Sequence, residues 1–285
     1  MIHLYELLDC GDGRKLESFA GYVLDRPAPA ADGPARGNPA ACRSADARYE
    51  RGPGQRGKWT VRNSPAADWL FAADDFRLEL RLTEFGHVGL FPEQRENWDW
   101  IDGRIRDNPS SEPLKVLNLF AYTGGSTLAA AAAGAEVTHV DASRSTVNWA
   151  RRNAERSHLE DKKIRWIAED ARLFVEREIK RGRRYDAVIL DPPSYGHGPA
   201  RQVWQFDEHV ESLLAACREL TAGSPRFMVL TCHSPGIGPR EAARLLAAAL
   251  PRGERGRIES EDLTLTATSG SRLNCGVCTR WCAQQ

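Results

Sequence analysis

Three aspartates, a glycine pair and one cysteine are the residues of this chain whose types and spacing could do chemistry. Asp141 ends the apolar run "EVTHVD", Asp170 ends "KIRWIAED" and Asp191 ends "YDAVILD". Gly124 and Gly125 follow "KVLNLFAYT", and Cys232 closes "RFMVLTC". A carboxylate at a strand end can accept both hydroxyls of a ribose, which suits Asp141. Asp170 can reach an adenine amino group while capping the helix after it. Glycines just beyond a strand leave room for a ligand, and the amides opening the next helix favour a carboxylate or phosphate. Such a set holds a nucleoside with a charged tail. A dinucleotide needs G-x-G-x-x-G, which "AYTGGSTL" lacks. S-adenosylmethionine needs space only for an amino-acid tail, and it is the cofactor expected. The competing explanation is an ordinary α/β turn whose acids only cap helices. Three such features on successive strands weigh against it.

The elements that must position these residues follow from periodicity. From Leu114 onward strands alternate with helices, the strands being "KVLNLF", "EVTHVD", "KIRWIAED", "YDAVILD", "RFMVLTC", "RIESEDLTLTA" and "NCGVCTRW". Apolar residues at 203, 206, 210, 213, 214, 217 and 220 predict a helix over 203–220. Another opens at Pro239 in "PREAARLLAAAL", with Leu245, Leu246, Ala249 and Leu250 on its apolar side. The alternation predicts an α/β fold: a Rossmann-like, seven-stranded, mostly parallel sheet with helices on both faces. Ligands gather at the carboxyl ends of such strands, near the switch in strand order. Up to about residue 90 the signals are short strands and turns, as in "CGDGRKLESFAGYVLDRP" and the period-two "FRLELRLTEFGHVGLF". "PEQRENWDWIDGRIRD" reads as a helix with Pro92 in its first turn. The expected organisation is a β-rich N-terminal unit over 1–91, a helical connection over 92–113 and a cofactor-binding domain over 114–285. Trp98 and Trp100 are expected to pack the β-rich unit onto the sheet.

On the substrate side, the fourth strand runs into "DPPSYGHG". Pro192 and Pro193 stiffen the backbone beyond Asp191. Ser194 and Tyr195 follow, and Tyr195 can stack on a flat base. Cys232 ends the fifth strand, expected beside the fourth and therefore close to Asp191. Two readings of it stay open. A thiolate adding to C6 of a pyrimidine would make C5 nucleophilic, with Asp191 on the N3/N4 edge and His233 lowering the thiol pKa. Alternatively Cys232 is a small buried thiol, and the proline-rich edge serves transfer to an exocyclic amine by positioning alone.

The totals set outer limits. The chain has 285 residues, zero formal charge and 41% apolar residues, and no apolar run approaches the ~18 a membrane span needs. The start "MIHLYELLDCGDGRK" lacks the layout of a secretory signal, and seven cysteines are an odd number, so reduced thiols in a cytoplasm are expected. From Arg26 to Arg62 eight Lys/Arg face three acids in a Pro/Gly-rich segment, either a solvated loop or an RNA-contacting surface. Cys275, Cys278 and Cys282 lack the second pair a zinc ribbon needs, and no metal site is expected. His197 and His209 read as loop and surface residues.

The motifs "VLNLFAYTGG", "HVDASRSTVNWARRNAE", "AED" and "YDAVILDPPSYGHG" resemble those of class I methyltransferases. More closely they resemble the bacterial 23S ribosomal RNA large-subunit methyltransferases that act on cytosine C5, and their relatives. "GLFPEQRENWDWI" is similar to the family segment leading into the first strand, and "LLDCGDGRKLESFAGYVLDRP" to the β-rich unit before the catalytic domain. The resemblance implies cofactor contacts at Phe120, Tyr122, Thr123, Gly124, Gly125, Ser126 and Thr127. It also implies them at Asp141 with Ala142, at Asp170 with Ala171, and at Asp191. Gln94, with Arg95 and Asn97, would line the cofactor mouth. A catalytic Cys232 is implied by the Thr-Cys pair of the cytosine-C5 enzymes, although "TCHSPG" departs from their usual continuation. RNA, ribosomal RNA in particular, is the partner implied. No counterpart of the additional N-terminal RNA-binding domain of many family members is expected here.

Overall fold

Asp12–Gly13 and Ala20–Gly21 each place two successive residues at positive φ, the two-residue turn that matches the twist of antiparallel strands. They join β1 (Tyr5–Gly11), β2 (Arg14–Phe19) and β3 (Tyr22–Pro27) into a meander. The short helix α1 (Pro39–Arg43) precedes β4 (Ala47–Arg51) and β5 (Gly57–Val61), which complete a five-stranded sheet in the order β1-β2-β3-β4-β5. A separate two-stranded ladder pairs β6 (Leu70–Ala72) with β7 (Arg77–Glu79). The computed structural model describes residues 5–52, 56–200, 202–221, 225–250 and 256–284. By contact they divide into two units, residues 1–93 with 264–275 and residues 94–263 with 276–285.

Buried charge is a feature of the first unit. Glu17 is fully buried, and Arg26 and Lys15 hold its carboxyl below the usual range although burial by itself pushes it up. The Arg14 and Arg36 guanidinium groups both reach Asp25 Oδ1, at 2.9 and 3.0 Å. The period-two run over 76–91 forms less strand than its pattern predicts. Phe76, Leu78 and Leu80 do alternate inward, but beyond Glu79 the backbone bonds locally, Arg81 N to Val88 O and Thr83 N to His87 O, around a turn at Gly86. Gly86 (φ 79°) has no side chain because Tyr49 occupies its place: a Cβ would lie 2.6 Å from that ring.

In the second unit α2 (Arg95–Arg106) follows a 3₁₀ turn at Pro92–Gln94. Strands and helices then alternate: β8 (Lys115–Leu119), α3 (Gly125–Ala132), β9 (Glu136–Asp141), α4 (Arg144–Arg156), β10 (Ile164–Ala168) and α5 (Ala171–Lys180). After β11 (Ala187–Leu190), a small hairpin of β12 (Tyr195–His197) and β13 (Val203–Gln205) leads into α6 (Phe206–Leu220). The chain ends with β14 (Phe227–Cys232), α7 (Pro239–Ala249), β15 (Gly256–Thr266) and β16 (Arg272–Ala283). The sheet order is β10-β9-β8-β11-β14-β16-β15. Its first five strands are parallel and β16 runs antiparallel to β14. The order reverses between β8 and β11, the switch point where α/β sheets bind ligands.

Three sequence expectations are corrected here. Val203–Gln205 is strand, not the first turn of a helix. It pairs with Tyr195–His197, and the Trp204 indole donates to Pro193 O at 2.6 Å. Residues 264–275, expected in the cofactor-binding domain, group with the N-terminal unit. Trp98 and Trp100 pack α2 within the second unit. Trp100 meets Phe227 of β14 edge-on at 5.6 Å, and the Trp98 ring lies where a Cβ on Gly125 would stand, 2.6 Å away. Gly125→Ala should therefore overpack α2 against α3 and destabilise the chain by about 1–3 kcal/mol. A urea titration followed by circular dichroism reads this, and an unchanged midpoint would contradict the packing role.

Candidate active site

The loop after β8 departs most from ordinary backbone. Phe120 (φ 56°) and Tyr122 (φ 48°) are non-glycine residues in the left-handed region, and Gly124 (φ 96°) follows as the residue before α3. Each non-glycine outlier costs roughly 1–2 kcal/mol, so the surroundings must impose it. They do so by hydrogen bonds at successive residues. Ala121 N donates to Val140 O at 3.0 Å, Tyr122 N to Asp141 Oδ2 at 2.9 Å, and the buried Asn153 amide of α4 to Thr123 O at 2.9 Å. The Phe120 ring packs on Trp204 at 4.8 Å. The first turn of α3 is thereby fixed at the switch point with its amides at the carboxyl edge of the sheet.

The glycine pair is explained by protein neighbours. A Cβ on Gly124 would stand 3.2 Å from Ala150 Cβ, and one on Gly125 would strike Trp98. Thr127, expected at the cofactor, is fully buried. Its hydroxyl accepts from Asn118 Nδ2 and meets His139 Nδ1, both at 2.9 Å. Burial holds the His139 pKa down at about 3, so its ring is neutral. Thr123 is also buried, whereas Ser126 is half-exposed beside them.

Asp141 ends β9 with each carboxylate oxygen accepting one amide, Oδ1 from Ser143 N and Oδ2 from Tyr122 N, both at 2.9 Å. One amide per oxygen leaves acceptor capacity on both. Burial raises its pKa above the ordinary carboxylate range, against the pull of those amides. Ala142 is half-buried next to it. Asp170 is the N-cap of α5: Oδ1 accepts from Arg172 N at 2.9 Å and Leu173 N at 3.3 Å. The Arg172 guanidinium lies 3.3 Å from its Oδ2, and Ala171 is buried at the helix start. Capping is the role its geometry shows.

Asp191, just past β11, meets side chains from three separate segments. Oδ1 accepts from the Thr231 hydroxyl and lies 3.0 Å from His233 Nε2, and Oδ2 accepts from Gln94 Nε2 at 3.2 Å. A carboxylate only accepts, so His233 carries its proton on Nε2. Gln94 is buried beneath the acid rather than lining a mouth. Its Oε1 accepts from Asn97, whose own Oδ1 takes Arg280 Nε at 2.8 Å and the Cys278 thiol at 2.9 Å. Arg95 instead faces Asp99 at the surface, 3.4 Å away. Beyond Asp191, Pro192 is buried while Pro193, Ser194 and Tyr195 are exposed, Tyr195 at 52%. Tyr195 meets His197 edge-on at 5.1 Å, and Ser194 Oγ accepts from Ser234 Oγ at 3.0 Å.

Cys232 does not join this group. β11 and β14 pair Leu190 with Leu230, which sets Asp191 beside Thr231. Period-two alternation then turns Thr231 toward Asp191 and Cys232 to the other face. There it is 1% exposed in the core with Leu190, Leu230 and Val277. Burial first, then the nearby Asp191 and Cys278, push its pKa up to about 12. The residues that sequence reasoning passed over are Asn118, His139, Asn153 and Thr231. Their signal was a polar side chain inside an apolar strand or at a helix face otherwise apolar.

A parallel sheet with a fixed helix start at its switch point and a ribose-competent acid on the neighbouring strand defines a class I nucleoside-cofactor fold. The family model for S-adenosylmethionine-dependent methyltransferases matches residues 40–249, and the chain belongs to that family. A methyltransferase of Agrobacterium tumefaciens described as SAM-dependent superposes with a TM-score of 0.90 at 35% identity, covering 99% of this chain and 91% of that one. SMU.776, solved in complex with SAH, shares the fold at a TM-score of 0.72 and 17% identity, over 98% of this chain and 75% of that one. Among curated relatives, ribosomal RNA large subunit methyltransferase I of Tolumonas auensis is 30% identical over 61% of this chain and 42% of its own length. Methyltransferase K/L of Syntrophotalea carbinolica is 29% identical over 60% of this chain and 24% of its own. The chain thus spans a quarter to two fifths of these two relatives. S-adenosylmethionine is the cofactor, and the donor set suits it: an acid with spare acceptor capacity on both oxygens and a helix start for a carboxylate tail.

Two outcomes follow from these environments. Hydroxyl donors need the charged form of Asp141, so affinity for S-adenosylhomocysteine should fall as pH drops through its raised pKa. Asp141→Asn should weaken binding roughly ten-fold near pH 7 and flatten that dependence, as titration calorimetry run from neutral pH down to the acid limit of the fold would show. Iodoacetamide at pH 7 should leave Cys232 unlabelled in the folded protein while reaching it in urea; rapid labelling of the native chain, read by peptide mass spectrometry, would refute its burial.

Proposed function

We propose that this chain transfers the methyl group of S-adenosylmethionine directly to a nitrogen of a ribosomal RNA base. The observation that carries the reading is the Asp191 carboxylate, oriented by Thr231, His233 and Gln94 at the mouth of a rigid Pro192–Pro193 edge. The names of the curated relatives support RNA as the substrate class. The cofactor supplies an electrophilic methyl group on a sulfonium. Asp191 accepts a hydrogen bond from the N–H of the target amine, which aims the nitrogen lone pair and offsets the positive charge that develops on nitrogen. As the new N–CH3 bond forms the methyl–sulfur bond breaks, leaving S-adenosylhomocysteine as the neutral thioether, and the proton lost from the amine nitrogen passes through Asp191 to solvent. Tyr195, exposed beside the edge, gives the base a ring to stack on. Orientation of this kind is the main requirement when the nucleophile is already a nitrogen.

Addition of Cys232 to C6 of cytosine is the second reading, motivated by a cysteine at this strand end. Its burial and its pKa near 12 weigh against it. Tritiated methyl transfer to bacterial large-subunit RNA, mapped by mass spectrometry, separates the two. Direct transfer predicts methylated nitrogen, a loss of about 100-fold or more in kcat for Asp191→Ala, and a near-normal rate for Cys232→Ser. A covalent adduct with 5-fluorocytosine RNA that Cys232→Ser abolishes would install the cytosine mechanism instead. Absence of binding heat with millimolar S-adenosylhomocysteine, together with no transfer to any RNA, would end both.

A further inference from the structure

The N-terminal unit contains a cleft of about 190 Å³ whose lining includes Lys15, Arg51, Phe85, His87 and Phe91. That volume is below the ~300 Å³ at which small-molecule pockets begin. Phe85 is 45% exposed at the tip of the turn Thr83–Gly86, and the Arg56 guanidinium lies over its ring at 5.9 Å. His87 meets Phe91 edge-on at 5.2 Å. An exposed phenylalanine on a loose loop would mean little. This one sits on a turn whose carbonyls are bound by the buried Tyr49 and Arg26 and the half-buried Trp59 and Gly57. Trp59 Nε1 donates to Thr83 O at 2.7 Å, the Tyr49 hydroxyl to Glu84 O at 2.7 Å, and Arg26 to Gly86 O at 2.9 Å. Gly57 N adds a bond to Glu84 O at 2.9 Å. These four hydrogen bonds fix the backbone of the turn that carries Phe85.

Charge agrees with the aromatic lining. Lys15, Arg26 and Arg51 line the cleft against the single acid Glu93. Lys15 and Arg26 share one buried partner, Glu17, which two cations over-compensate. The adjoining hairpin β4–β5 carries Arg48, Arg51, Arg56 and Lys58; Arg48 faces Asp25 and Glu50, and Arg56 lies 3.6 Å from Glu84 in an exposed pair that a phosphate can replace. A fixed aromatic face beside guanidinium and ammonium groups is the combination that holds an unstacked base and its flanking phosphates. A duplex, with its bases stacked inside, offers nothing for Phe85 to cover.

We infer that this cleft is a binding site for one unstacked nucleotide of single-stranded RNA, with the base on Phe85 and the phosphates toward Arg51 and Arg56. The inference rests on the reading of the chain as an RNA methyltransferase and names where that RNA is gripped. Fluorescence anisotropy of the full chain with a fluorescein-labelled, mixed-sequence single-stranded RNA decamer tests it, with the same decamer in a duplex as comparison. Phe85→Ala should weaken binding by about five-fold or more, and Phe85→Trp should restore it. Arg51→Ala should lower the slope of log affinity against log salt by roughly one. Circular dichroism melting confirms that the variants fold. Single-strand affinity unchanged in Phe85→Ala, or equal affinity for the duplex, overturns the site. Methyl transfer to large-subunit RNA, run in parallel, keeps the two claims apart. RNA methylated with the same KM by Phe85→Ala removes the cleft and leaves the proposed function standing. Decamer bound through Phe85 with no RNA methylated removes the function and leaves the cleft. Neither binding nor methylation removes both.

Discussion

A carboxylate half withdrawn from water needs donors on its oxygens, and at the tip of β11 this need organises the catalytic unit. Asp191 draws donors from the neighbouring strand (Thr231), from the residue just beyond it (His233) and from the start of α2 (Gln94). Gln94 in turn is oriented by Asn97, and Asn97 by Arg280 and Cys278 of β16. One acid thus ties β11, β14, β16 and α2 into a single polar network beneath the reacting edge. Partly satisfied networks are costly in low dielectric, so each member restrains the others. His233 gains its place in the same way. Gly276 opposite it has no side chain, and a Cβ there would lie 2.8 Å from the imidazole Nδ1.

The cofactor side obeys a related logic with backbone strain in place of charge. Left-handed Phe120 and Tyr122 are unfavourable alone, and they persist because Asp141, Asn153 and Val140 bond the loop residue by residue. Below the loop, the chain of Asn118, Thr127 and neutral His139 links β8, α3 and β9. Thr127 can donate to Nδ1, which puts the ring proton on the buried Nε2, and the ring itself lies 4.8 Å from that of Trp166, centroid to centroid. These side chains fix the start of α3 before any ligand arrives, and preorganisation of this kind reduces the ordering cost of binding.

The N-terminal unit spends its polar groups differently. Glu17 and Asp25 are buried and surrounded by Lys15, Arg26, Arg14 and Arg36. Removing either acid would leave its cations with backbone carbonyls but no countercharge, a change far more damaging than its surface equivalent. The same Arg26 that neutralises Glu17 supports the turn under Phe85. Structure and presentation of the aromatic cleft share one residue.

Much of the fold was written locally. The seven strands from Lys115 onward, the helices between them and the strand-end placement of Asp141, Asp170 and Asp191 follow from apolar periodicity, because period two or 3.6 is a property of each segment alone. The cofactor followed from the same positions, since strand order and crossover hand bring those ends together. What tertiary structure decided was the partner of each side chain. Gly125 is small for Trp98, Asp170 turns to its own helix, and Val203 joins a hairpin because Trp204 reaches Pro193. Cys232 and Thr231 are adjacent in sequence and both polar enough for a site. Only the register of β14 against β11 selects Thr231 for Asp191 and sends the thiol into the core. Register depends on long-range pairing and packing, and no short stretch of sequence contains it.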